Sequence, residues 1–407
     1  MPKRKILFLL VLAAVPIQLG KFFFPNYSYV LGIPIDYRAQ NLYLSDIIVL
    51  AYLLTSIVTL SLSKKKLKSN FGKFCKERSF YLFSLCLFLS YLLVNSLFFS
   101  ISKYASLYFF AKSLEFGLLS IFAAYDFSEI KLKPLIPQVI TFSIIWQSSI
   151  ALLQFLNQRS LGFWILGERS FNITTPDIAH FEVFGYQLLR PYGTFSHPNV
   201  LGAFLVIYTL ILISTRPNKT TLFISPATTV LTFSKGAILT LLTASIIISK
   251  NLKDFTLKII LLGVIALMLA RIASTTQVAS VAERLTLIKA ALDISLKNLI
   301  FGIGSNNFIL ELSKLDLTSI SQIRLLQPVH NVFLLVLVEN GLVGLFLFAT
   351  MLFAVSQKAQ TKEKTAIFIA ILIFATIDHF LWTLQQGLLI FWLSLSFILS
   401  SQKQSAS

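Results

Sequence analysis

Charge is the scarcest property of this 407-residue chain: Asp, Glu, Lys and Arg make up 13% of it, about half the share in an ordinary soluble domain. Acidic charge is scarcer still, with 17 Asp+Glu against 35 Lys+Arg. Of the 2 cysteines, Cys75 lies in a basic stretch and Cys86 in an apolar run, so no disulfide framework is expected. The 4 histidines show no Cys/His or His-x-x-x-His metal spacing. There is no phosphate-binding Gly-Lys loop and no nucleophile elbow. Paired aspartates that would hold a metal are missing from the loops. These absences exclude a soluble enzyme, a disordered chain and a secreted disulfide scaffold.

What is abundant is apolar surface. The chain is 56% hydrophobic, with a mean hydropathy of +0.78. A span needs about 20 apolar residues, so this content suffices for about twelve. The runs are continuous rather than alternating, which points to helices and not to a barrel. The expected fold class is therefore all-α: a polytopic membrane protein forming one integral membrane domain over 1–407. The apolar runs predict spans at 6–24, 43–62, 79–98, 104–124, 135–157, 198–214, 221–234, 236–250, 255–273, 331–355, 365–382 and 384–401.

The net charge of +18 would suggest nucleic acid in a soluble protein. Here it sits in short loops, so it reports topology and contact with anionic lipid head groups; no nucleic-acid partner is expected. On one side, about one loop residue in three is basic, including Lys3, Arg4, Lys5, Lys64–Lys66, Lys131, Lys133, Arg216, Lys219, Lys358, Lys362 and Lys364; on the other, about one in ten. Both termini are expected in the cytoplasm. Two long loops, 158–197 and 274–330, are expected outside, and loops of such length are usually functional. The second should carry an amphipathic interfacial helix. Ser280 and Glu283 fit a capping box, and Val281, Leu285, Ile288, Leu292 and Leu296 form an apolar face.

Three stretches carry the candidate chemistry. His330-Asn331 stand where the second loop re-enters the membrane, and nine residues on Gly341-Leu342-Val343-Gly344 fall about half-way down the following helix, where small residues let helices approach closely. An interfacial histidine alone is more often structural, as a helix cap or packed ring, but an ionisable group at a bundle mouth is a functional candidate. Arg190-Pro191-Tyr192-Gly193-Thr194-Phe195-Ser196-His197-Pro198-Asn199 ends the first loop. A turn and helix start with Pro198 at the first helical position explain most of it. Arg190 is left over, either snorkelling to lipid phosphate or gripping a phosphorylated substrate. Arg284 begins the helix of the second loop, and Phe301-Gly-Ile-Gly-Ser-Asn-Asn-Phe308 follows it. Lys235 falls at another turn on the same side. Lys112 and Glu115 predict an ion pair inside a span. Asp378-His379 at the last hairpin either line the same cavity or belong to the interfacial belt.

In chain order, Arg190–Asn199, then Ser280–Phe308, then His330–Gly344, these stretches resemble the O-antigen ligase / O-antigen polymerase superfamily of bacterial envelope glycan transferases. One departure is Asn298-Leu299-Ile300 before Phe301, where the family often has proline. The resemblance implies a GT-C type fold and metal-independent, inverting glycosyl transfer, with no cofactor. It implies a polyprenyl-diphosphate-linked glycan as donor and a glycolipid, glycan or protein hydroxyl as acceptor, at the outer face of the cytoplasmic membrane. His330, Arg284 and Arg190 would be catalytic, and Asn331, His197, Tyr192 and Lys235 would contact substrate. Ligase, polymerase and protein O-oligosaccharyltransferase readings differ only in the acceptor. A flippase for lipid-linked sugars is the different class; it would place basic residues in a central cavity and often show repeat symmetry, and neither is apparent.

Overall fold

The computed structural model describes residues 3–401 apart from 64, 130–131, 133, 184, 250, 252–274 and 316–324. The chain is mostly helical. In chain order the helices are α1 (Lys3–Ala14), α2 (Leu44–Leu62), α3 (Lys65–Lys76), α4 (Ser79–Phe98), α5 (Lys103–Phe127), α6 (Leu135–Asn157), α7 (Pro198–Thr215), α8 (Lys219–Leu231), α9 (Lys235–Ile247), α10 (Thr275–Lys297), α11 (Phe308–Leu312), α12 (Val332–Ser356), α13 (Lys362–Ile377), α14 (Phe380–Thr383) and α15 (Gln385–Leu399). Three small antiparallel hairpins accompany them: β1 (Gly20–Phe23) with β4 (Gln40–Tyr43), β2 (Tyr29–Val30) with β3 (Ile33–Pro34), and β5 (His180–Val183) with β6 (Tyr186–Leu189).

Among the described residues, 6 helices are long and apolar enough to cross a membrane: α2, α4, α5, α6, α7 and α12. Helices α9 and α15 are apolar but shorter. The expected span 255–273 lies outside the described residues. Helices α7 and α15 run through the centre, and every residue of α15 is buried. Leu54, Phe83, Phe142 and Phe346 instead stay exposed on flanking helices, the surface a hydrocarbon solvent requires.

The expected first span, 6–24, is corrected. Helix α1 ends at Ala14, because Pro16 has no N–H to continue the ladder. The freed Pro16 carbonyl accepts from Thr194 Oγ1 and from Gln386 Nε2. The chain then turns into the β1–β4 hairpin, where Gly20 lies against the Tyr43 ring and leaves no room for a Cβ. The fold class is thus mostly rather than wholly α, and residues 15–43 add a loop that the apolar run concealed. The capping box at Ser280 is also corrected: α10 starts at Thr275, so Ser280 is inside the helix. Its protein-facing side is Leu287, Ala290, Ala291 and Ile294, whereas Val281, Leu285, Leu292 and Leu296 are exposed.

Helix α12 is broken at Gly341, which has φ 66° and ψ −172°. The Phe301-Gly-Ile-Gly segment fills the break. Ile303 N and Gly304 N donate to Val338 O and Glu339 O, at 3.1 and 2.7 Å. Leu342 N donates to Leu299 O at 2.8 Å. A Cβ on Gly341 would lie 2.2 Å from Ile300 O. Non-helical backbone at such depth persists because protein groups satisfy it. Gly341 is therefore a chain break, while Gly344 lets the Tyr91 ring of α4 approach.

Many basic residues gather at one end of the bundle. Arg4 pairs with buried Asp126 at 2.6 Å, and Lys5 pairs with Glu129. Lys362 Nζ donates to Ser249 O, and Lys364 Nζ to Ile398 O and Ser400 O. Arg78 Nη2 donates to Ser401 Oγ. Cations on these carbonyls cap the ends of α9 and α15 favourably. Inside the bundle, Lys112 takes Asp46 at 2.5 Å as its nearer partner, with Glu115 at 4.0 Å.

Candidate functional site

The site lies at the opposite end, and glutamines of α6 shape its first wall. Gln154 Oε1 accepts from Tyr192 N at 2.9 Å and Gly193 N at 2.8 Å, while its Nε2 donates to Gly193 O at 2.8 Å. Gln147 holds Thr194 through both backbone and hydroxyl. Gly193 needs its φ of 59° there, since a Cβ would meet Gln147 Oε1 at 2.3 Å. This clamp sets the entry to α7, whose N-cap is His197: its Nδ1 accepts from Asn199 N at 3.1 Å. Pro198 at the first helical position behaves as the sequence suggests.

From that helix start a polar chain crosses the site. Arg190 Nε donates to Thr232 O, and its Nη2 to Asn199 Oδ1, both at 2.8 Å. Asn199 Nδ2 donates to Asp378 Oδ2 at 2.9 Å. Asp378 Oδ1 accepts from His379 N at 2.8 Å and faces His330 Nδ1 at 3.4 Å. The His330 and His379 rings are 4.9 Å apart, and Tyr37 meets His379 edge-on at 5.4 Å. Arg284 Nη1 reaches Ile377 O, the last carbonyl of α13, at 3.3 Å. Asp378 and His379 stand just beyond that helix, between α13 and α14.

Electrostatics assign protonation. Burial opposes a charge on Asp378, but the His330 hydrogen bond and the surrounding imidazoles hold its carboxyl well below the usual range. Burial pushes the His379 imidazole down to about 3, against the opposing pull of Asp378. Burial and then Arg190 bring His197 to about 3. Burial lowers Arg190 only to about 10, so it stays cationic. An ionised carboxylate can only accept, so His330 Nδ1 donates to it, which in the neutral ring is the tautomer whose lone pair is on Nε2.

His330, Asp378 and His379 each offer one ligand atom, all within 4.8 Å of one another. Both Asp378 oxygens are already engaged by N–H donors, and Arg190 and Arg284 stand nearby.

Two cavities meet at this chain. One, of about 810 Å³, is lined by His330, His379, Tyr37, Trp164 and Arg169. The other, of about 580 Å³, is lined by Lys235, Phe181, Phe233, Val281 and Phe374. Arg190, Arg284, Asn199 and Asp378 line both. Each volume suits a ligand site. Residues 200–349 of the sequence match the family model described as O-antigen ligase. The superfamily resemblance read from the motifs is thereby shown over this span. No curated protein matches the chain. The O-antigen ligase match takes in Lys235, Arg284, His330 and Asn331; Arg190 and Asn199 precede it and Asp378 follows it.

The sequence candidates thus separate. His330, Arg190, Arg284, His197 and Lys235 line the cavities. Asn331 instead caps α12, accepting from Leu334 N at 2.9 Å, so His330 is released from capping. Tyr192 is buried under the loop, where its hydroxyl accepts from Ala179 N and its ring packs on Phe171. Asn199 was hidden in a helix-start motif. Asp378-His379 were legible as adjacent ionisable residues between apolar runs, but their link to His330 was not.

Proposed function

We propose that this chain transfers a glycan from a polyprenyl diphosphate to an acceptor hydroxyl, by metal-independent, inverting chemistry at the outer face of the cytoplasmic membrane. The proposal includes about twelve spans in a GT-C type arrangement, with both termini cytoplasmic and 158–197 and 274–330 as outer loops. The observation that carries it is the Arg190–Asn199–Asp378–His330 chain between two cavities.

His330 Nε2 accepts the proton of the acceptor hydroxyl as its oxygen attacks the anomeric carbon. Asp378 steadies the imidazolium. The bond from that carbon to the diphosphate oxygen breaks, and Arg190 and Arg284 balance the growing charge. Lipid activation replaces a nucleotide. The exposed stripe Val281, Leu285, Leu292 and Leu296 suits a helix seated in the outer interface, beside a lipid donor. A polymerase or protein O-oligosaccharyltransferase would use the same groups on another acceptor.

The test is transfer per purified enzyme in liposomes with a lipid-diphosphate donor. His330→Asn should lose roughly 10²–10⁴-fold in kcat with normal yield. Wild-type turnover by this variant would end the general-base role. Loss of activity in chelator, restored by a divalent ion, would end the metal-free reading and place the ion at His330, Asp378 and His379.

A further inference from the structure

In-line displacement requires nucleophile and leaving group on opposite sides of the anomeric carbon. His330 and His379 line only the larger cavity, whereas Lys235 and the apolar residues Phe233 and Phe374 line only the smaller. Resting on the transferase reading above, the acceptor therefore enters the larger cavity and the lipid carrier leaves through the smaller.

The larger cavity contains a third guanidinium, Arg169, which the smaller does not. Arg169 is exposed and makes no hydrogen bond or ion pair among the described residues. Its electrostatic neighbours include Tyr37 and Tyr192, the first stacked edge-on against His379. Its adjoining carboxylate makes no ion pair with it. Glu168 is occupied by Leu161 N at 2.7 Å, Phe163 N at 2.5 Å and Gln154 Nε2 at 2.7 Å.

The backbone bearing Arg169 is also fixed. Gly167 has φ +85° and sits so close to Gln18 that a Cβ would lie 2.2 Å from its carbonyl carbon. Gln18 N donates to Leu166 O at 3.0 Å. A guanidinium on a braced turn retains its fork for a planar anion at little ordering cost. Exposed Asp36 and Asp177 line the same cavity, so away from its three arginines an anion is disfavoured, and of those three Arg169 alone is absent from the smaller cavity. Trp164, 72% exposed at the rim, offers a flat apolar face to a sugar ring.

We propose that Arg169 is an acceptor-specificity residue, which binds an anionic substituent, phosphate or carboxylate, on an acceptor glycan. The test compares three acceptor glycans that differ only in one substituent: phosphate, carboxylate or none. Equilibrium binding is measured on the detergent-solubilised chain without donor, and transfer is measured in liposomes. Wild type should bind one or both charged glycans more tightly than the neutral one. Arg169→Ala should weaken that binding, and raise the acceptor KM, by about 10- to 100-fold. It should leave donor KM and neutral-acceptor kcat within about two-fold, and Arg169→Lys should recover part of the loss. The more sensitive charged glycan identifies the anion. Equal wild-type affinity for all three, or Arg169→Ala acting on donor KM, overturns the assignment. Charge-dependent binding that Arg169→Ala removes, without any wild-type transfer, would sink the transferase reading while upholding the anion site.

Discussion

The two ends of the bundle each bring an arginine and a buried aspartate together, but in different ways. At the basic end Arg4 meets Asp126 directly, and Tyr52 Oη donates to the second carboxylate oxygen at 2.7 Å. The charges satisfy each other, and neither residue lines either of the two cavities at the other end. At the other end Arg190 and Asp378 are kept apart by Asn199, which bonds both, and both line open cavities. A direct pair spends its electrostatics on holding α1 to α5. A separated pair keeps one charge for a substrate anion and the other for an imidazole. The difference teaches that chemistry is marked here by charges spaced and turned toward a void, rather than by buried charge as such.

The comparison breaks most readily at Arg284. Arg284→Lys keeps the charge and loses the fork. We expect transfer to fall about 10²–10³-fold, the range for removing a donor that stabilises a developing oxyanion. Wild-type transfer by both Arg284→Lys and Arg190→Lys would make the guanidinium groups lipid snorkels. At the basic end, Asp126→Asn leaves buried Arg4 with only its longer contact to Glu129, at 3.8 Å, which costs up to about 3–5 kcal/mol. Thermal unfolding in detergent should register that loss, while turnover per folded molecule stays unchanged. A turnover defect instead would mean the two ends are coupled.

Asp378→Asn sharpens the comparison. An amide can present N–H to His330 and favour the wrong tautomer, so kcat should fall about 10- to 100-fold, as for other partners that orient a functional imidazole. Donor KM should not change. The smallest effect is on pH. The unfolded His379 titrates near 6.5 and the folded one near 3, so the unfolded chain binds more protons between those values. The stabilisation is complete above 6.5 and is lost as pH falls through this window, by up to ~1.4 kcal/mol per pH unit. The melting temperature should drop from pH 7 to pH 5, and His379→Gln should reduce that slope by about half, the rest coming from His197, which burial also holds near 3. Asp378, held low, adds no slope there. An unchanged slope in His379→Gln would mean that this imidazole is charged in the fold.

Sequence alone determined the membrane class, most helix positions and the candidate groups His330, Arg190 and Arg284, because apolar period, charge scarcity and loop residues are local properties. It could also place a helix start at Pro198, since proline acts on its own backbone. It misjudged the first span, because an apolar run does not reveal that Pro16 ends α1 and lends its carbonyl to Thr194 and Gln386. It read Gly341 as a packing residue, because a helix break becomes stable only when Phe301-Gly-Ile-Gly supplies the missing hydrogen bonds. Tertiary structure alone decided that Asn331 rather than His330 caps α12, and that Asn199 and Asp378 join Arg190 to His330. Those links span distant segments of chain, and hydrogen bonds of such range are set by how helices pack, which no local pattern encodes.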